Sequence, residues 1–165
     1  MRMLTIQKRN GSIRCTISSD MSLVELFSRI LKDMLVYAHI PVANEVTLVA
    51  RELLANAVIH GNGLDPRKKA SFSLEELCGA GFYVTVKDEG QGFDFANLDS
   101  YSENNEHHSR KRGYVIIRNC SRRITFRDNG SSVSVFVGLG EENWEASERR
   151  DAAEQREVVQ VFAAL

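Results

Sequence analysis

Glu52, Asn56 and His60 stand four residues apart in a stretch whose other positions include the apolar Leu53, Leu54, Ala57 and Val58. On a helix, side chains at i and i+4 share a face, so the three form one polar stripe on an element otherwise patterned for burial. A carboxylate beside an amide oxygen suits a magnesium-phosphate site, where Asn56 can ligate the ion and Glu52 can accept a proton from an attacking hydroxyl. A solvated helix face has the same spacing, so the stripe carries weight only with companions. The first companion is Asp88-Glu89-Gly90-Gln91-Gly92-Phe93-Asp94, placed where the alternating run Phe82 to Lys87 ends. An aspartate there can accept a hydrogen bond from an exocyclic amine, while two glycines let the backbone approach a flat ring or adopt positive φ. The second is Arg110-Lys111-Arg112-Gly113, read as a loop immediately before a short helix over Tyr114 to Cys120. It offers cationic side chains and helix-terminal N–H groups to phosphate.

The elements that position these residues follow from periodicity. Leu4 to Lys8 and Ile13 to Ser18 alternate around Asn10-Gly11, which predicts a hairpin with a type I′ turn. Ser19 or Asp20 can cap a helix from about Met21 to Ala38, with Leu23, Leu26, Phe27, Ile30, Leu31, Met34 and Leu35 at helical spacing. A second helix starts near Pro41, buries Val46, Val49, Ala50, Leu53, Leu54, Ala57 and Val58, and stops at Gly61-Asn62-Gly63. Ala70 to Leu77 and Phe82 to Lys87 read as a strand pair joined through Gly79 and Gly81, and Arg123 to Arg127 and Ser131 to Leu139 as a hairpin around Asp128-Asn129-Gly130. About six strands result. Glu89 to Arg112 is Gly-, Asn-, Ser- and charge-rich without an apolar period, longer than most connections, and reads as a lid.

Beyond Gly140 the composition shifts to Glu, Arg, Ala and Gln, and Val158, Val161, Phe162 and Leu165 recur at helical spacing. The chain therefore divides into a domain over 1–140 and a helical tail over 141–165, expected to dock on its own domain or across a homodimer. With 165 residues, 43% of them hydrophobic, the chain has the size and composition of one soluble domain. A net charge of -1 supplies no overall field toward nucleic acid or an acidic membrane, and neither is expected as a direct partner. Three dispersed cysteines, Cys15, Cys78 and Cys120, form no CxxC pair, which speaks against a disulfide framework or a structural zinc and fits a reducing cytosol. His107-His108 lacks spaced companions and reads as solvated loop histidines rather than a metal site. With no apolar signal core and no stretch of about 18 apolar residues, a cytoplasmic location is expected.

Taken in order, the motifs resemble those of the GHKL ATPase superfamily with its Bergerat ATP-binding fold. Glu52-Leu53-Leu54-Ala55-Asn56-Ala57-Val58-Ile59-His60-Gly61 resembles the N box, Asp88-Glu89-Gly90-Gln91-Gly92-Phe93 the first glycine box, and Arg112-Gly113-Tyr114-Val115-Ile116-Ile117 the second. Within the superfamily the chain is most similar to bacterial anti-sigma-factor serine kinases, over about Leu4 to Leu139. The resemblance implies an α/β (α+β) two-layer sandwich, with a mixed, mainly antiparallel sheet and helices on one face. It further implies that Glu52 is the catalytic base and that Asn56 holds Mg²⁺ against the ATP phosphates. Asp88 then binds the adenine amine, Gly90 and Gly92 shape the adenine pocket, and Gly113 lets the lid close. His60, Arg110, Lys111 and Arg112 complete the nucleotide-binding set. The implied partners are a STAS-type anti-sigma-factor antagonist, phosphorylated on serine, and a sigma factor. Lys111-Arg112-Gly113 departs from the two glycines separated by one residue that these kinases commonly carry. That departure leaves room for a non-catalytic ATP-binding interaction module. A sensor histidine kinase domain is disfavoured, since no dimerisation helix with a phospho-acceptor histidine precedes the motifs.

Overall fold

Alternation in the strands and 3.6-residue spacing in the helices build two layers. A computed structural model describes residues 2–9, 11–77, 79–92, 107–140 and 159–161, of which 107–111 and 159–161 through their backbone. Strands β1 (Leu4–Arg9) and β2 (Ser12–Ser18) pair antiparallel with Arg9 opposite Ser12. Gly11 has φ +78°, the left-handed conformation that a type I′ turn requires. Helix α1 (Met21–Tyr37) is capped by Asp20, whose carboxylate accepts from the Ser22 N–H at 2.9 Å. Ser19 has another task, described below. Helix α2 (Ala43–Asn56) continues into a π-helical turn over Ala57–Gly61, where the Asn62 N–H donates to the Ala57 carbonyl at 2.7 Å.

Strands β3 (Lys69–Leu77) and β4 (Gly81–Asp88) are followed by helix α3 (His107–Asn119), and strands β5 (Arg123–Arg127) and β6 (Ser132–Gly138) close the core. The sheet order is β1-β2-β3-β4-β6-β5, with a short strand β7 (Val159–Val161) outside β5. Every described pairing is antiparallel, in keeping with the expected mainly antiparallel sheet. Register aligns the apolar face: Ile13, Leu74, Val84, Val135 and Ile124 stand opposite one another in successive pairs. On that face pack Val24, Phe27, Leu31 and Leu35 of α1, Val46, Val49, Ala50, Leu53 and Leu54 of α2, and Tyr114 and Ile117 of α3. The two-layer sandwich is as expected, with its helices on one side of the sheet.

Two readings are corrected by the backbone. The helix expected at Tyr114 begins instead at His107, so His107-His108 and Arg110-Lys111-Arg112-Gly113 lie within α3 rather than in a loop before it. The basic run interrupts the apolar period, which hid the first two turns of this helix. Within the tail, residues 159–161 are a strand on β5, with Val161 opposite Arg123, where the spacing predicts a helix. Four apolar residues in so short a segment cannot separate the two periods, and a free sheet edge supplies hydrogen bonds that a short isolated helix lacks. The rest of 141–165, most of the lid reading (93–106) and Cys78 lie outside the described residues.

The Phe27 and Phe72 rings join α1 to β3 edge to face at 4.9 Å. Phe72→Ala should cost about 3–5 kcal/mol of stability, read as a lowered midpoint in equilibrium urea unfolding.

Candidate functional site

The helical layer parts from the sheet above β4, β5 and β6, leaving a cavity of about 670 Å³ that includes open solvent. Its walls are apolar: Leu53 and Ala57 from the second helical segment, Tyr114 and Ile117 from α3, and Val86, Ile124, Phe126 and Val133 from the sheet. Three polar side chains line it, Asn56, His60 and Asp88, together with Gly61, Gly92 and Gly130. An apolar slot with a few convergent polar groups is the usual form of a small-molecule site.

Asp88 closes β4, and its main-chain N–H donates to the Ser131 carbonyl at 2.9 Å. Its Oδ1 accepts from the Gly90 N–H at 2.8 Å. Burial pushes the Asp88 carboxyl above its ordinary pKa, opposed by the Gly90 hydrogen bond and by the positive charges of Lys68 and Lys87. Glycines make this placement feasible. A Cβ on Gly61 would collide with the Asp88 carboxylate, and one on Gly90 would overlap the Gly61 carbonyl. Gly92, at φ +78°, lies so close to the Asn129 carbonyl that a Cβ there would overlap it.

At the other end, α2 carries Glu52 beside α3. Glu52 Oε1 accepts from Arg51 Nη1 at 2.8 Å, and Arg51 Nη2 and Nε donate to Glu25 of α1 at 2.7 and 3.4 Å. Glu25 holds the Arg51 guanidinium more firmly protonated than usual. A Cβ at Gly113 would lie 2.9 Å from Glu52 Oε2 and 3.7 Å from Asn56 Nδ2, so this glycine allows α3 to approach α2 at the polar stripe.

The structure thus brings Asn56, His60, Asp88 and Gly92 to one cavity, with Gly90 behind Asp88 and with Glu52 and Gly113 in contact beside Asn56. Arg112 is exposed on α3, and Arg110 and Lys111 share that helix. Their helix-terminal N–H groups are not those of residues 111–113, which lie beyond the first four donors of α3. Burial raises the pKa of the Cys15 thiol to about 12 and also raises that of Cys120, which disfavours the nucleophilic thiolate at both.

Sequence reasoning missed Glu25 and Arg51, which meet only because α1 packs beside α2. It also missed the Asp128-Asn129-Gly130 turn as part of the cavity, although Gly130 lines it and Asn129 meets Gly92. Asn62 was read only as part of a helix stop; a polar residue between two glycines was the available signal. Its amide joins Ser19, Lys69 and Glu89.

Two outcomes follow from the glycine contacts and from Asp88. Gly90→Ala meets backbone and should lose about 1–3 kcal/mol of stability, whereas Gly61→Ala can be relieved by moving the Asp88 carboxylate. Thermal melts of the two variants check this. Because the folded Asp88 pKa is raised, its favourable linkage to folding is full below the unfolded value and lost as pH rises through the folded one. Asp88→Asn should therefore gain stability relative to wild type toward neutral pH and lose that advantage in acid, measured by urea unfolding across pH.

Residues 17–136, well over half of the chain, match the family model of the histidine kinase-like ATPase domain. No curated protein matches the chain.

Proposed function

The chain belongs to the histidine kinase-like ATPase domain family, and from that premise we propose that it binds ATP and phosphorylates a serine of a STAS-type anti-sigma-factor antagonist. Binding of a sigma factor is the linked activity, with the two partners competing for one surface in the cytoplasm. One observation carries the nucleotide part: an Asp88 carboxylate lining an apolar slot beside Gly61 and Gly92, with Gly90 behind it. A carboxylate is an acceptor and adenine presents an exocyclic amine donor, while Val86, Ile124 and Phe126 offer flat apolar contact to the ring.

The resemblance of the N box to anti-sigma-factor serine kinases supports the transfer step. Glu52 would take the proton of the incoming serine hydroxyl as its oxygen bonds to the γ-phosphorus and the bond to the bridging oxygen breaks, releasing ADP. Asn56 is the residue that would hold Mg²⁺. Among the described residues no three His, Cys, Asp or Glu side chains cluster as a metal site. A single amide ligand fits an ion whose other ligands are water and phosphate. When bound, Mg²⁺ neutralises phosphate charge. No helix among the described residues is long and apolar enough to cross a membrane.

A second reading, a non-catalytic ATP-binding interaction module, is favoured by a specific contact. Arg51 occupies one oxygen of Glu52, and Gly113 backs the other. Either reading requires nucleotide binding.

Calorimetry should give heat with ATP or ADP and Mg²⁺, and Asp88→Asn should weaken it about tenfold or more by removing a charged acceptor. Absence of binding heat and of thermal stabilisation overturns both readings. With a purified STAS partner and labelled ATP, Glu52→Ala should retain nucleotide affinity and lose transfer. Binding without transfer in the wild type selects the interaction module.

A further inference from the structure

Asn62 is 3% exposed, and both donors and the acceptor oxygen of its amide are engaged. Nδ2 donates to Ser19 Oγ at 2.8 Å and to the Lys69 carbonyl at 2.9 Å. Oδ1 accepts from the Glu89 main-chain N–H at 2.8 Å. The orientation is fixed by chemistry, since a main-chain N–H can only donate and a carbonyl can only accept. Glu89 completes a ring, because its carboxylate accepts from the Lys69 N–H at 2.9 Å. Asn62, Lys69 and Glu89 therefore bind one another pairwise, joining the end of the π-helical turn, the head of β3 and the segment leaving β4.

That segment carries the acceptor. Glu89 lies directly between Asp88 and Gly90, and the Gly90 N–H is the donor that holds Asp88 Oδ1. A loop with φ freedom at glycine would otherwise sample several arrangements, each presenting the carboxylate differently. We propose that Asn62 is the positioning residue of the purine site, fixing Asp88 through the Glu89 main chain and so setting preference for a 6-amino over a 6-oxo purine nucleotide. The inference rests on the reading of this cavity as a nucleotide site. A 6-amino group donates to the carboxylate, whereas a 6-oxo group presents a second acceptor to it. The preference therefore depends on where Asp88 points, not only on its presence.

The test uses the full chain and calorimetric dissociation constants for ATP and GTP. Wild type should prefer ATP. In Asn62→Ala, ATP affinity should fall about tenfold, as for a lost charge-assisted hydrogen bond, with GTP affinity changing much less, so that the ratio collapses. Leu35→Ala, which opens the core at the opposite end of α1 from Ser19, should lower the melting temperature and leave the ratio at its wild-type value. An Asn62→Ala protein that melts lower but keeps the wild-type ratio overturns the proposal and leaves Asn62 a structural residue. Should Asn62→Ala not fold, Ser19→Ala removes one acceptor of the amide and should reduce the ratio severalfold; an unchanged ratio there overturns the proposal equally. A wild type that binds neither nucleotide instead overturns the nucleotide reading beneath it, whereas one that binds both alike overturns the proposed preference.

Discussion

The end of the second helical segment and the end of β4 cross with no room for a side chain between them. Gly61 sits against the Asp88 carboxylate, and Gly90 sits against the Gly61 carbonyl, so a methyl group at either position forces something to shift. This contact sets the width of the cavity at its polar end. It also leaves Asp88 half-buried, with one oxygen on the Gly90 N–H and the carboxyl pKa raised by burial. Burial and acceptor strength have one cause, because a low local dielectric penalises the charge and strengthens any hydrogen bond that the charge accepts.

The two layers hold that crossing in place. The apolar row from Ile13 through Leu74, Val84 and Val135 to Ile124 gives the helices a continuous surface, and α1 and α2 bury their stripes on it. The cavity opens where α2 and α3 leave the sheet uncovered above Val86, Phe126 and Val133. Neighbouring segments brace the polar end: the Ser131 carbonyl accepts from the Asp88 N–H, and the Asn129 carbonyl lies against Gly92. The turn between β5 and β6 is therefore both a hairpin connection and part of the site.

At the opposite end the charges are arranged as a chain across helices. Glu25 of α1 holds Arg51, Arg51 holds Glu52, and Glu52 meets the backbone of α3 at Gly113. Two partly exposed carboxylates share one guanidinium, so the pairs matter more for the direction of Glu52 than for stability. The orientation of a residue suited to accept a proton is thus tied to the packing of all three helices.

Much of this was legible in the residues themselves. Alternation fixed the faces of β2 to β6, Asn10-Gly11 the first turn, and the i, i+4 spacing of Glu52, Asn56 and His60 a polar side of a buried helix, because these patterns act over a few neighbouring residues. The start of α3 was not legible, since its first turns are polar and basic and carry no apolar period. Nor was the strand at Val159–Val161, whose conformation is set by the edge of β5 rather than by its own three residues. The ring of Asn62, Lys69 and Glu89, and the chain from Glu25 through Arg51 to Glu52, each depend on hydrogen bonds between positions 20 or more residues apart. Sequence determined which side chains could act as acceptors, ligands and bases; only tertiary packing decided which atoms face one another, because hydrogen bonds between distant segments exist only once the layers have brought them within 3 Å.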